Sequence, residues 1–505
     1  MDSIRIKNLH CLADTGIIPI RDINILVGAN SSGKSSFLRV FPLLKQGINT
    51  NKKGPILWMS EDVDFGDFKT AVRKGENNIV FEFTDKGLYE GKTCLRFDVV
   101  MDGANNDYIN SIFCRYLDQE IYVKINSKKN IEKISINGED FPGTDVLVVE
   151  NRTGLLPSFY SVQTTESNLP IIAHPLQNIY AEERILQNIN ALLDKRLKIT
   201  TVNSIRNQIR SRFFSKKTFL GILKSIERPV TWHNVVKNWT ENTPDFLQLN
   251  NLEVLSNTFF IIDELGSRLA QSFMEVYYIG PVRATAERYY RRQNLALNVI
   301  DPRGINLPMF VNDLSETEKK DLKDWMKESF GFYLITDYSG GHISVSLVNE
   351  QSGEKTNLAD SGFGFSQIMP ILVMLWTLTR RNFINNRRRR FLFIENKISY
   401  CVIEQPELHL HPALQAQLAD MFISAVNVAK KNGIQLKLIL ETHSEAIINR
   451  IGKRISEKKS DFSKDDVTVA LFNKHLNDNG TNVTMAHFDD DGILDNWPIG
   501  FFNAD

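Results

Sequence analysis

Gly28-Ala29-Asn30-Ser31-Ser32-Gly33-Lys34-Ser35 sets two glycines either side of four residues and follows them with a cation and a hydroxyl. A loop of this kind turns its backbone N–H groups inward around a β-phosphate. Its lysine, Lys34, reaches the β and γ phosphates as a point charge, and the Ser35 hydroxyl is placed for magnesium. An apolar run, INILVG, precedes the loop and a helical pattern, SFLRVFPLL, follows it, the strand, loop and helix context that phosphate binding requires. The residues expected at a nucleotide are therefore Asn30, Gly33, Lys34, Ser35 and Ser36. The plainer reading, a Gly/Ser turn joining two elements, does not account for that context.

Far along the chain, Tyr400-Cys401-Val402-Ile403 ends in Glu404, a carboxylate at the end of a buried strand that can hold magnesium directly or through water. Next comes Gln405, where nucleotide-hydrolysing sites commonly carry the carboxylate that orients the attacking water. An amide positions water but cannot accept its proton, so hydrolysis is expected to be slow or conditional unless another base serves. Glu407 is the nearest candidate. On an extended segment it points the same way as Gln405, with Pro406 disturbing that geometry. Two more elements complete the set. DSGFGFSQ, at 360–367, is a Gly-rich turn that opens a helix, weak evidence alone for an anion site. Leu440-Glu441-Thr442-His443-Ser444 is an apolar strand ending in His443, a histidine whose exposure is expected.

His409 and His411 share one side if LHLHP is extended, but two ligands do not close a zinc site, which needs about four. Closing an interface beside the nucleotide is the alternative. Asp489-Asp490-Asp491 reads as a hairpin turn in DDDG and not as a nuclease centre, and the 62 residues after His443 are too few for an appended nuclease domain. No intrinsic nuclease is expected.

Two basic tracts stand out. RRNFINNRRRR, residues 380–390, holds Arg380, Arg381, Arg387, Arg388, Arg389 and Arg390. Between Arg184 and Arg228, eleven Lys and Arg face only Asp194 and Glu227. Each tract either contacts nucleic acid or a partner, or is a solvated face.

The elements that must position these residues follow from periodicity. Strands are expected at 3–12 and 23–28, and from about 78 to 165 apolar and polar residues alternate between the turn signals TDKG, DGANND, NGED and ENRTG, an antiparallel meander. From about 176 to 275 the spacing is helical. Helix or loop runs to about 335, short strands lie near 342–349, and an apolar helix, IMPILVMLWTL, follows the Gly-rich turn. Strands at 391–395, 400–404 and 436–440 alternate with the helix PALQAQLADMFISAVNVA, the rhythm of a parallel sheet covered by helices.

The 505 residues allow two to four compact units, and Lys+Arg and Asp+Glu both total 60, so attraction to nucleic acid must come from local patches. No targeting segment and no membrane-spanning run is apparent, so a cytoplasmic location with no membrane partner is expected. The four cysteines, Cys11, Cys94, Cys114 and Cys401, are scattered without metal or disulfide spacing and are expected as small buried side chains.

Together the four elements resemble the ATP-binding-cassette type of ATPase head, the group that includes SMC and double-strand-break repair ATPases, over roughly 1–100 and 340–475. The resemblance implies an α/β fold class: an ABC-type head, a mixed sheet with an antiparallel β subdomain and a parallel P-loop core, carrying a helical insertion. The divisions expected are an N-terminal lobe at 1–175, a helical arm at 176–335 and a C-terminal lobe at 336–505. It also implies that a signature loop, matched by Ser361, Gly362, Gly364, Ser366 and Gln367, caps the γ-phosphate bound by a second copy, with His443 on the same phosphate. ATP and Mg2+ would be the cofactors, with magnesium on Ser35 and Glu404, and the chain its own partner in a head-to-head dimer or higher oligomer.

More narrowly, GPVRATAERYY at 280–290, EQPELHLHPALQ at 404–415 and WPIGFF at 497–502 resemble the PtuA family of ATPases from the Septu anti-phage defence systems. That implies a separate HNH-type nuclease partner, PtuB, and, in retron-associated systems, a reverse transcriptase with its msDNA. DNA is a further expected partner. The residues expected to act on ATP are Glu404, Gln405, Glu407 and His443. Two other readings stay open: a stand-alone DNA-repair ATPase, and a scaffold that binds nucleotide without hydrolysing it. The insertion is too short and too weakly heptad-like for a long coiled-coil arm.

Overall fold

The computed structural model describes residues 1–88, 91–142, 146–149, 153–164, 170–173, 178–194, 198–292, 300–380, 398–458, 461–474 and 480–497. The chain forms two compact units. One comprises Met1–His10, Gln46–Ser60 and Phe65–Gln271, the other Cys11–Lys45, Glu61–Asp64 and Ser272–Asp505. The helical stretch after residue 178 thus belongs with the meander up to Gln271, and residues 272–335 belong to the second unit.

In the first unit, Ser3–Leu9 pairs antiparallel with Asn78–Leu88, and the sheet continues through Gly91–Met101, Asp107–Tyr116, Gln119–Ile125, Ile131–Ile136 and Glu139–Pro142, each antiparallel to the last. Alternation drives it: Gln119, Ile121, Val123 and Ile125 are buried while the residues between them are not. The turn expected at TDKG lies inside a strand, which carries on to Leu88 with an irregularity after Asp85. Helices Ile179–Ala191, Ile199–Ile209, Lys216–Ser225, Val230–Val236 and Pro244–Met274 follow, the last leaving this unit at its C-terminal end. Arg206 is buried among them, donating to Glu182 at 2.5 and 2.9 Å and pairing with Glu253 at 2.8 Å. Arg212 lies over the Phe260 ring at 4.3 Å. Part of the basic stretch from 184 to 228 is therefore spent on packing.

The second unit contains a sheet in the order Leu12–Asp14, Thr481–Ala486, Val467–Lys474, Ile23–Gly28, Gln435–Glu441, Ile398–Glu404, Val276–Ile279. The last five strands run parallel, and Ile23–Gly28 and Val276–Ile279 are buried at every residue, as strands covered on both faces are. The helix Phe363–Leu378 is buried throughout from Ser366 to Leu378, as a helix apolar on all sides should be. Helices Pro412–Lys431 and Glu445–Glu457 flank the same core. The strand Phe332–Ser339, antiparallel to His342–Asn349, begins inside the stretch to about 335 expected as helix or loop.

The expected fold class, α/β with an antiparallel subdomain, a parallel phosphate-loop core and a helical insertion, is borne out. The strand expected at 391–395 lies outside the described residues. No described helix is long and apolar enough to cross a membrane. Cys114 and Cys401 are buried, whereas Cys11 and Cys94 are half-buried.

Asp420 clasps the two C-terminal helices, accepting from Arg450 at 2.7 Å and from Arg454 at 2.6 Å. Partial burial pushes its carboxyl up, but the hydrogen bonds from Arg454 and Arg450 outweigh that and hold it below the ordinary range. A depressed folded value stabilises above the unfolded pKa and is lost as pH falls through the folded one. Asp420→Asn is expected to lower the urea-unfolding free energy at neutral pH by roughly 1 kcal/mol after solvent screening, with the difference closing under acid.

Candidate functional site

The loop after Ile23–Gly28 is held in conformations that few residues accept. Ser31 has φ +60°, and Gly33 has φ +92° with a Cβ position that would lie 2.6 Å from Leu12 and 2.8 Å from the Cys11 sulfur. Only glycine fits there. The turn carries Lys34 inward to 3% exposure, where Nζ donates to the Gly28 and Ala29 carbonyls at 2.9 and 2.8 Å. Burial pulls the lysine below its ordinary pKa, against the nearby Glu441, Cys11 and Glu407, which raise it. An ammonium held by carbonyls alone in a buried loop is poised for an anion. Asn30 is exposed, and Ser35 and Ser36 are half-buried.

Three parallel strands deliver the rest. Gln435–Glu441 lies between the phosphate-loop strand and Ile398–Glu404, and the register sets Glu404 directly opposite Glu441. Side chains at matched positions of parallel neighbours share a face, so two carboxylates stand side by side. Their partners differ. Arg39 donates from Nε and Nη2 to the two oxygens of Glu404 at 2.6 and 2.8 Å, and the Tyr278 hydroxyl adds 2.8 Å to Oε1. Glu404 is 2% exposed, and its hydrogen bond holds the Arg39 guanidinium firmly charged. Ser35 Oγ instead meets Glu441 Oε1 at 2.9 Å. Glu441 is 3% exposed, its Oε2 has no hydrogen-bond partner, and burial raises its pKa.

Past Glu404 the chain turns. Gln405 has φ +43°, its N–H donates to the Glu441 carbonyl at 2.8 Å, and Leu408 and Leu410 close back onto Gln405 and Glu407. The segment is therefore not extended, so alternation does not set Gln405 and Glu407, or His409 and His411, on a shared side. Glu407 folds back to accept the His443 backbone N–H at 2.6 Å, and burial raises its carboxyl. His443 is half-buried, with Nε2 lacking a hydrogen-bond partner; burial, then Lys34, lowers its pKa and favours the neutral ring. His409 packs edge-on against Phe363 at 4.7 Å, and His411 Nδ1 accepts from Ala413 N at 3.3 Å as a helix cap. No cluster of three or more metal-binding side chains occurs among the described residues.

The Gly-rich turn lies against the same segment. A Cβ on Gly364 would come within 2.9 Å of the His409 carbonyl. Ser361 and Ser366 bond back to Leu358 and Phe363, and Gln367 Nε2 donates to the Arg283 carbonyl at 3.3 Å. Arg283, 3% exposed, donates in turn to the Glu404 carbonyl at 2.7 Å. Its Nε and Nη1 have no hydrogen-bond partner, and burial brings its pKa down to about 10. Arg283 thus joins the Gly-rich turn to the Glu404 strand.

Lys34, Ser35, Glu407, Glu441 and His443 converge on one place. Glu404 sits beside them but is turned to Arg39. Gln367 reaches the group through Arg283. Arg380 pairs with Asp321 at 2.7 Å, and Arg381, Arg387, Arg388, Arg389 and Arg390 lie outside the described residues, as do residues 498–502 of WPIGFF. Asp489 spends its carboxylate on the N–H groups of Asp491 and Ile493, making the expected turn. Arg39, Tyr278, Arg283 and Glu441 were not singled out by sequence.

A magnesium ion fits this donor set: Ser35 offers a hydroxyl, and Glu441 a carboxylate with one oxygen still unsatisfied. The AAA ATPase domain family matches the chain over residues 1–448. None of the curated proteins matches it. A solved structure of the recombination mediator protein RecF-ATPrS in the RecFOR pathway aligns over 96% of this chain and 97% of its own at 10% identity, with a TM-score of 0.30. A RecF-ATP structure from that pathway aligns over 98% of each chain at 10% identity, with a TM-score of 0.28.

Proposed function

The chain belongs to the AAA ATPase domain family, and from that premise we propose that it binds ATP in the loop from Gly28 to Ser35, holds it between two copies of itself, and uses the bound state to control a partner nuclease in anti-phage defence. The observation that carries the nucleotide site is the buried ammonium of Lys34, which has only carbonyl partners in a loop whose neighbours Ser32 Oγ, Glu441 Oε2 and His443 Nε2 lack hydrogen-bond partners. A triphosphate would satisfy the cation.

Lys34 takes the β and γ phosphates, and neutral His443 offers Nε2 to the γ-phosphate. Ser35 and a strand-end carboxylate would hold magnesium, which would neutralise phosphate charge when bound. Gln405 orients water without taking its proton. Glu407, whose raised pKa brings it nearer to neutral, accepts that proton, and its grip on the His443 backbone keeps the two groups in register. Ser361, Gly362, Gly364, Ser366 and Gln367 of one copy cap the γ-phosphate held by the other. ATP then acts as glue, and slow hydrolysis as the reset.

The partner is an HNH-type nuclease of the PtuB kind, in the cytoplasm. The resemblance of GPVRATAERYY and EQPELHLHPALQ to PtuA supports this, and Arg283 in the first motif bonds to the backbone of Glu404 in the second. A stand-alone DNA-repair ATPase is as compatible with the family. Affinity purification from the native host separates the two: a small co-purifying nuclease supports defence, and DNA alone supports repair. Single-turnover assays test the slow chemistry. Gln405→Glu is expected to speed hydrolysis by at least about tenfold by supplying a second base, and a variant no faster than wild type counts against slow chemistry set by Gln405.

A further inference from the structure

The usual position for the magnesium carboxylate is the end of the Glu404 strand, yet both Glu404 oxygens are taken. Arg39 spans them at 2.6 and 2.8 Å, and Tyr278 adds a third hydrogen bond. A bidentate arginine on a buried carboxylate is a strong, oriented pair that a metal would have to displace. The neighbouring strand offers a different oxygen. Gln435–Glu441 pairs directly with the phosphate-loop strand, one place nearer than the Glu404 strand, and ends in Glu441. Its Oε1 is 2.9 Å from Ser35 Oγ, the loop hydroxyl, and its Oε2 is buried without a hydrogen-bond partner.

With a triphosphate in the loop, Lys34 is drawn to phosphate, and a carboxylate touching Ser35 would face negative charge at close range in a dry pocket. That arrangement is repulsive unless a cation stands between them. We propose that Glu441, and not Glu404, is the carboxylate that faces magnesium together with Ser35, and that Glu404 is a positioning residue which fixes Arg39 and Tyr278 beneath the site. In the nucleotide-free chain the Ser35 to Glu441 hydrogen bond keeps the two donors together. The Ser35 hydroxyl turns its proton away when its oxygen is needed. This assignment rests on the ATP reading of the pocket.

The test is the magnesium dependence of nucleotide affinity, read with a fluorescent ATP analogue in EDTA and in excess Mg2+. Wild type is expected to bind more tightly with Mg2+. Glu441→Gln is expected to lose about 10- to 100-fold of that gain while binding in EDTA at least as well as wild type. Glu404→Gln keeps the gain. Electron paramagnetic resonance of bound Mn2+ with ATP gives a second readout, in which Glu441→Gln releases Mn2+ and Glu404→Gln retains it. Should Glu441→Gln fail to fold, Glu441→Asp, which keeps the charge but shortens its reach, is expected to show a reduced gain. A full gain in either Glu441 variant, or its loss in folded Glu404→Gln, overturns the assignment. A wild type that binds no nucleotide in EDTA or Mg2+ sinks the ATP reading and this assignment with it. Tight binding that is indifferent to Mg2+ sinks the assignment alone.

Discussion

Lys34→Ala is expected to weaken ATP binding by about 10²- to 10³-fold, because losing one member of a desolvated charge pair costs roughly 3–4 kcal/mol. The size follows from burial. Lys34 is 3% exposed and held by two carbonyls of its own loop, so its charge is poorly compensated until phosphate arrives. Alanine removes that attraction and leaves the two carbonyls to find water. The fold should tolerate the change, since burial opposes this charge in the empty chain. Equilibrium titration with labelled ATP reads the affinity, and a thermal scan of both proteins confirms that the variant is folded. Self-association on adding ATP should disappear together with binding.

Glu407→Gln is expected to lower single-turnover hydrolysis by about 10²- to 10³-fold, with ATP affinity within a few-fold of wild type. Two features support the proposal of a proton acceptor there. Gln405 has no basic oxygen to offer, and Glu407 is half-buried beside His443 with its pKa raised. Glutamine keeps an oxygen for the His443 N–H, so the variant separates proton transfer from positioning. Rapid-quench measurement of phosphate release from pre-bound ATP reads the chemical step alone. If the rate is unchanged while Gln405→Glu accelerates it, Glu407 is a support for His443 and not a base.

What sequence made legible was local. The phosphate loop declares itself because its glycines, lysine and serine act within a few residues, and Gly33 proves to be sterically required. The parallel core is legible because strands buried on both faces read as unbroken apolar runs, as in Ile23–Gly28. What depended on distant pairing was missed. Glu404 was found, but Arg39, which saturates it, is just a basic residue following the phosphate loop until the strands are assembled. Glu441 passed as a strand end before His443. Its signal was present, since CVIE and LILE are both apolar strands closing on glutamate, and parallel neighbours in matched register bring such ends together.

The condition that residues 405–411 be extended is not met, for a local reason already signalled by Pro406: with the left-handed Gln405 it opens a turn that aims Glu407 back at His443. Phe332–Ser339 was hidden because only Phe332 and Leu334 of its eight residues are buried, so little apolar periodicity marks it as a strand. Arg283 belongs to a motif noticed by resemblance alone. Its role in joining the Gly-rich turn to the Glu404 backbone needed three segments far apart in sequence.

All of this depends on a single pocket, made by strands from opposite ends of the chain, that recognises a triphosphate through Lys34. Calorimetric titration of ATP and of AMP into the wild-type protein in magnesium buffer tests it most directly. The account predicts saturable ATP binding and AMP weaker by roughly a hundredfold or more, since AMP lacks the phosphates that Lys34 grips. Equal affinity for the two nucleotides, or no heat from either, contradicts it.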